Sequence, residues 1–191
     1  MCNLLAVVLV AVALLQNPSP QTSPNTPPAN NRSQAANQAS IDRITREVHH
    51  ELAWVPYYGV FDNLAYRVSP DGTVTLMGQV VRPTLKSDAE NVVKRIEGVE
   101  RVDNQIKVLP TSPMDDQTRM AVYRAIYGNA ELSMYAVRAV PPIHIIVENG
   151  HVTLEGVVAR QMDKQIAEMQ AKSVPNVFSV TNNLRVEEQG S

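Results

Sequence analysis

Residues 71–82 read DGTVTLMGQVVR, and residues 149–160 read NGHVTLEGVVAR. Sliding the chain on itself by 78 positions aligns more than this dozen: between 71–108 and 149–186, 15 of 38 positions are identical without a gap. The identities run on through Lys86/Lys164, Ala89/Ala167, Glu90/Glu168, Val99/Val177, Val102/Val180, Asn104/Asn182 and Val108/Val186. Chance similarity does not hold register through a turn, a helix and a strand together, so the chain carries a duplicated unit.

Each copy has its own local signals. In the first, Ile41, Ile44, Val48 and Leu52 recur at helical spacing, with Ser40 placed as N-cap. Leu64, Tyr66 and Val68 then alternate with Ala65 and Arg67 as in a half-buried strand. A turn at 69–72 containing Gly72 leads to a returning strand with Val74, Leu76, Gly78 and Val80 on one side. A helix over 86–96 carries Ala89, Val92, Val93 and Ile96, and Gly98 ends it where a left-handed residue is wanted. Val102, Ile106 and Val108 mark a last strand. The second copy draws its first helix from Met120, Tyr123, Ile126 and Tyr127. Its first strand, 143–147, is apolar on both faces, which predicts cover on both. Asn149-Gly150 is a hairpin turn signal, and Asn176 occupies the slot of Gly98. The order is αββαβ twice: an α+β fold of two small three-stranded sheets, each covered by two helices, over residues 39–110 and 114–188.

The start of the chain is different in kind. Residues 4–15 (LLAVVLVAVALL) are an unbroken apolar run of twelve. That is short of the roughly 20 needed to span a bilayer but within the range of an export signal's apolar core. Residues 1–16 are therefore read as a signal peptide or a short retained membrane anchor. No Lys or Arg precedes the run, and Cys2 precedes rather than follows it, so Cys2 is not a lipoprotein acceptor. Residues 17–38, with five prolines and one charge, Arg32, read as a disordered spacer.

Composition excludes several classes of function. The net charge is −2, and the copies carry nine basic against ten acidic residues (40–110) and seven against nine (115–191), so nucleic acid is not an expected partner. With Cys2 as the single cysteine, disulfides and thiolate catalysis are absent. No nucleophile motif, phosphate loop or metal-ligand cluster occurs, and the expectation is no enzyme, no cofactor, no metal and no small-molecule substrate. His49-His50 lack the i,i+4 spacing of a helical chelate, with His144 and His151 in the other copy.

The structural candidates are Gly72, Gly78, Gly98, Gly150, Gly156 and Asn176, with the strand glycines read as a bulge or close helix packing rather than a close approach to a ligand. Two surfaces are candidates for binding. The densest aromatic segment, 54–61 (WVPYYGVF), either closes the end of the first core or presents Trp54 and Tyr57 as a lip for an apolar partner or a membrane interface. Arg119, Tyr123, Arg124 and Tyr127 lie on the second copy's first helix, as a solvated face or one that rests on lipid head groups.

The strand, small Gly, helix, Gly/Asn and strand pattern (VTLMG…KSDAENVVKRIEGVERVDNQIKV and VTLEG…DKQIAEMQAKSVPNVFSVTNNLRV) resembles the BON domain, named for osmotically induced periplasmic protein Y and nodulation-related bacterial proteins. Gly78 and Gly156 match the family's strand glycine. The resemblance implies an αββαβ fold, a place in the bacterial envelope (the periplasm, free or held at the membrane), and no enzymatic activity. It also implies association with phospholipid surfaces or envelope proteins under stress; a client-holding chaperone is the alternative. Neither copy has the basic excess that strong attraction to anionic lipid would call for. Oligomeric state is not implied.

Overall fold

The computed structural model describes residues 29–138 and 140–187. The expected signal or anchor, residues 1–16, and most of the expected spacer lie outside the described residues. The first helix, α1 (Ala29–Ala53), begins well before Ser40 and takes in the last part of that spacer, 29–38, so Ser40 is interior to the helix rather than its cap. The prolines end at Pro28. Beyond it come Ala and Gln, which favour helix, with no Pro or Gly to stop an extension of the core-packed turns. Ile44, Val48 and Leu52 are the buried stripe of α1.

The rest of the first copy is β1 (Asn63–Val68), β2 (Thr73–Val80), α2 (Pro83–Val93), β3 (Arg101–Asn104) and β4 (Lys107–Val108). β1 runs antiparallel to β2, while β3 and β4 lie parallel on its other side. β3 and β4 are one interrupted strand, and Asn104 causes the interruption. Its Nδ2 donates to the Lys86 carbonyl and to Glu90, and its Oδ1 accepts from the Ile106 N–H, which turns that N–H away from β2 just after the Gln105 N–H has bonded the Leu76 carbonyl. The second copy repeats this as α3 (Pro113–Tyr127), a 3₁₀ turn (Ser133–Val137), β5 (Ile143–Glu148), β6 (His151–Val158), α4 (Gln161–Lys172), β7 (Ser179–Asn182) and β8 (Arg185–Val186). Asn182 makes the same three bonds there, to Lys164, Glu168 and Leu184.

Each copy closes its own core. Val74, Leu76, Val80, Leu85, Ala89 and Ile106 pack with the α1 stripe in the first. Val122, Ile126, Ile143, Ile145, Leu154 and Ala167 pack in the second. Helices lie on one sheet face in both copies, so the α+β, twice-αββαβ architecture stands.

The strand glycines mark neither a bulge nor a helix contact. Gly78 pairs with Leu64 and Gly156 with Ile143 in an uninterrupted register. Both have positive φ, 111° and 121°, and a Cβ would stand 2.1 Å from the Asn63 carbonyl oxygen and 1.9 Å from that of Pro142. The neighbouring strand comes so close that no side chain fits. Gly98 and Asn176 end the helical segments at φ 87° and 66°, and Gly72 and Gly150 sit in the two hairpin turns.

Candidate functional site

The residues that connect α1 to β1 diverge from their counterparts, and the divergence begins inside the core. In the second copy Tyr135 is buried. Its hydroxyl donates to Asp163 at 2.7 Å and accepts from the Ala159 N–H at 2.8 Å. Asp163 is fully buried, and Arg160 answers it with Nη2 at 2.7 Å. Burial pushes the Asp163 carboxyl up, but the bonds from Arg160 and Tyr135 outweigh this and hold it below the ordinary carboxylate value.

The first copy has Leu85 where Asp163 stands, and Leu85 is buried without polar partners of its side chain. With no carboxylate to receive it, the tyrosine at the Tyr135 position, Tyr57, turns outward. Its φ is 66°, a left-handed conformation unusual for an aromatic residue. The amide equivalent to that of Ala159 is Val81, and a different group satisfies it: Asp62 Oδ1 accepts from Val81 at 2.8 Å, while Oδ2 accepts from Gly59 at 3.1 Å.

Expulsion of Tyr57 shifts the burial register of the whole segment. Leu132 and Tyr135 are 0 and 5 % exposed, whereas Trp54 and Tyr57 at the same repeat positions are 76 and 74 % exposed. Val55 and the half-buried Tyr58 enter the first core instead. Outside, the Arg82 guanidinium carbon lies 5.0 Å from the centre of the Tyr57 ring, and His50 leans on Trp54 with ring centres 6.3 Å apart. Trp54, Tyr57 and Arg82 thus form an exposed aromatic lip with one cation, at a backbone position held in strain.

The far end of the same segment clasps the second copy. The Val60 carbonyl accepts from the Ile145 N–H at 2.8 Å, on the outer edge of β5. Val60 and Phe61 pack onto the second core, with Phe61 edge-on to Tyr123 at 6.1 Å. Tyr58 stacks on His144 at 5.5 Å. Lys107 reaches Glu148 at 2.7 Å. This explains a strand apolar on both faces: Ile146, which points away from its own helices, is 4 % exposed because the first copy lies against it.

The helix offered as a lipid-facing surface is largely committed to the interior. Arg119 is 3 % exposed; it donates to the Val147 carbonyl at 2.8 Å and is paired with Asp116. Tyr127 is buried and donates to the Ile143 carbonyl at 2.6 Å. Asp115 takes the N–H groups of Asn149 and Gly150 at 2.9 Å each, which pins the start of α3 to the β5–β6 turn. Arg119 and Tyr127 are therefore corrected to structural residues. Tyr123 is half-buried in the clasp, and Arg124 alone of the four is exposed. Arg119 and Tyr127 look like surface residues on the helical pattern because their acceptors are strand carbonyls, which no side-chain pattern displays.

His49 and His50 are exposed on α1. No group of three or more His, Cys, Asp or Glu is placed to hold a metal ion among the described residues, and no described helix is long and apolar enough to cross a membrane.

A family model described as BON domain matches residues 40–110 and again 115–188. No curated protein matches the chain to a significant degree. Among solved structures, the C-terminal domain of CdsD, the structural protein of the type III secretion system of Chlamydia trachomatis, is 13 % identical with a TM-score of 0.27, covering 75 % of this chain and 96 % of that one. A second CdsD structure is 14 % identical with a TM-score of 0.28, covering 77 % and 94 %.

Proposed function

We propose a function from one premise: the chain belongs to the BON-domain family, in two tandem copies. On that premise it is a non-enzymatic binding module of the bacterial envelope, exported and free in the periplasm or held at the membrane. Its partner is a phospholipid surface, which it meets through the lip formed by Trp54, Tyr57 and Arg82. One observation carries this reading: two aromatic residues whose repeat equivalents are core are turned out to solvent together, beside a cation. Trp and Tyr are favoured where one end of a side chain is apolar and the other wet, and Arg suits the head-group level. With the charges of the first copy nearly balanced, apolar insertion rather than bulk electrostatics supplies the attraction, so moderate salt should weaken it little.

Flotation of the exported chain with phosphatidylethanolamine/phosphatidylglycerol vesicles tests this. The wild type is expected to float. Trp54→Ala/Tyr57→Ala should bind about 30-fold more weakly, equivalent to roughly 2 kcal/mol of lost apolar burial. A wild-type chain that stays at the bottom of the gradient, or a double variant that floats equally well, removes the lipid reading.

A client-holding role is favoured by a separate observation. Met114, Met120, Met134, Met162 and Met169 are all exposed on the second copy, and flexible methionines suit surfaces that accept varied apolar partners. Suppression of light scattering by an aggregating client, without lipid, distinguishes this role; no suppression at equimolar ratio excludes it.

A further inference from the structure

His144 stands inside the contact between the two copies, whereas His151 is exposed at the rim of the crevice between them and bonds Ser179 of its own copy. It stands on the outward face of β5, where its ring stacks on Tyr58 and its Nε2 lies 3.4 Å from the Tyr58 hydroxyl. Its Nδ1 is buried with no hydrogen-bond partner among the protein groups. Gln79 Oε1 is also buried and unpartnered, and Gln79 meets Ile146 and Glu148 across a crevice of about 360 Å³ between the copies. Closing the clasp therefore strips two polar atoms without replacing their partners, which costs about 1–3 kcal/mol each. The contacts that oppose this are one backbone bond from Val60, one exposed ion pair between Lys107 and Glu148, the Tyr58–His144 stack, and the packing of Val60, Phe61 and Ile146.

We infer that the clasp between the copies is a proton-operated catch: protonation of His144 releases the first copy from the outer face of β5. An imidazolium needs two hydrogen-bond acceptors or water. In the closed clasp it would have a ring stacked on one side, one nitrogen in long contact with a hydroxyl, and the Asp62 and Gly59 carbonyls nearby with no hydrogen bond made to Nδ1. The titratable groups that face it are Tyr58 and Asp62 from the first copy and Glu155 from β6, with Arg82 beside Asp62. Tyr58 is pushed up to about 12 by burial and stays neutral throughout. Burial lowers His144 from its ordinary 6.5, against the opposing pull of the Asp62 and Gly59 carbonyls and the Asp62 and Glu155 charges.

The sign follows from linkage. The closed clasp binds its proton less readily than the open one, so closure is fully favoured above pH 6.5 and weakens as pH falls below it. Asp62 acts oppositely. Burial raises its carboxyl above 3.8, so it disfavours the folded arrangement at neutral pH and relieves it as pH falls through the raised value. This inference concerns the clasp alone and stands or falls separately from the lipid reading.

Spin labels on Glu97→Cys in the first copy and Lys172→Cys in the second, both exposed positions, in the full chain with Cys2→Ser, report the separation of the copies. A single narrow distance population at pH 7.5 is expected to be lost by pH 5 in favour of a longer, broader one. The same pair in a His144→Gln background should keep one distribution across that range. NMR of the wild type supplies a second readout that needs no variant to fold: the His144 imidazole should titrate below 6.5, at the midpoint of the distance change. An unchanged distance, an identical transition in His144→Gln, a distance that shortens in acid, or a His144 midpoint at or above 6.5 overturns the catch.

Discussion

Replacing Gly156 by alanine puts a methyl group 1.9 Å from the Pro142 carbonyl oxygen, at a φ of 121°. Real side chains do not approach closer than 3.0 Å, so the start of β5 must retreat by about 1 Å. The obstacle is backbone and has no flexible end to swing aside. Ile143, the partner of Gly156, is also held by both its N–H and its carbonyl to the Tyr127 hydroxyl, at 3.1 and 2.6 Å, and the retreat strains these bonds. Backbone strain in the glycine-only region costs about 1–3 kcal/mol, and one or two weakened hydrogen bonds add about 1 kcal/mol each. The sum is about 2–5 kcal/mol, a large part of the ~5–15 kcal/mol that keeps a small domain folded. Urea unfolding followed by circular dichroism is the assay, and a midpoint drop of at least ~1 M is expected at ordinary urea dependence. Gly59→Ala is the control: its added methyl meets nothing nearer than 3.8 Å and its N–H to Asp62 is retained, so it should stay within about 0.5 kcal/mol of wild type. Gly156→Ala within ~1 kcal/mol of wild type would refute the close-approach account of both strand glycines.

Other expectations follow from the divergence of the copies. Tyr135→Phe leaves the Ala159 N–H without a partner and takes one of two donors from an oxygen of the buried Asp163 carboxylate, and it should cost about 1–3 kcal/mol in denaturant unfolding. Tyr57→Phe, at the same repeat position but exposed, should cost less than about 0.5 kcal/mol. Asp62→Ala orphans the Val81 and Gly59 amides and should destabilise the first copy by about 1–3 kcal/mol, read by amide exchange at Val81. Because Asp163 is held below its ordinary 3.8, its contribution is present above that pH and is lost as pH falls through the lowered value. Acid unfolding of the second copy should therefore become less steep in Asp163→Asn.

The architecture was legible because local chemistry repeats it. Gly98 and Asn176 end helices for one conformational reason, and the paired Asn104 and Asn182 kept their register through the duplication although their part in interrupting the last strand was not foreseen. The two-sided apolarity of β5 announced that something covers Ile146, but not that the cover is the other copy. That identity is a tertiary fact, as is the split of residues 54–61 into an exposed lip and a buried clasp. The clue lay in the repeat itself: Asp163 stands against Leu85, a position buried in both copies but charged in one, and it decides where Tyr57 points. His144 carried no pattern signal because its environment comes from a loop 86 positions away. The start of α1 was missed because the extension rests on backbone propensity, without an apolar stripe to show it.

Trp54 is the chain's single tryptophan and stands 76 % exposed on the lip, so its fluorescence reports the site without a label. Titrating the folded chain with phosphatidylethanolamine/phosphatidylglycerol vesicles should move its emission to shorter wavelength and protect it from a water-soluble quencher. Emission that stays at the wavelength of a solvated indole, fully quenchable at saturating lipid, would contradict the account.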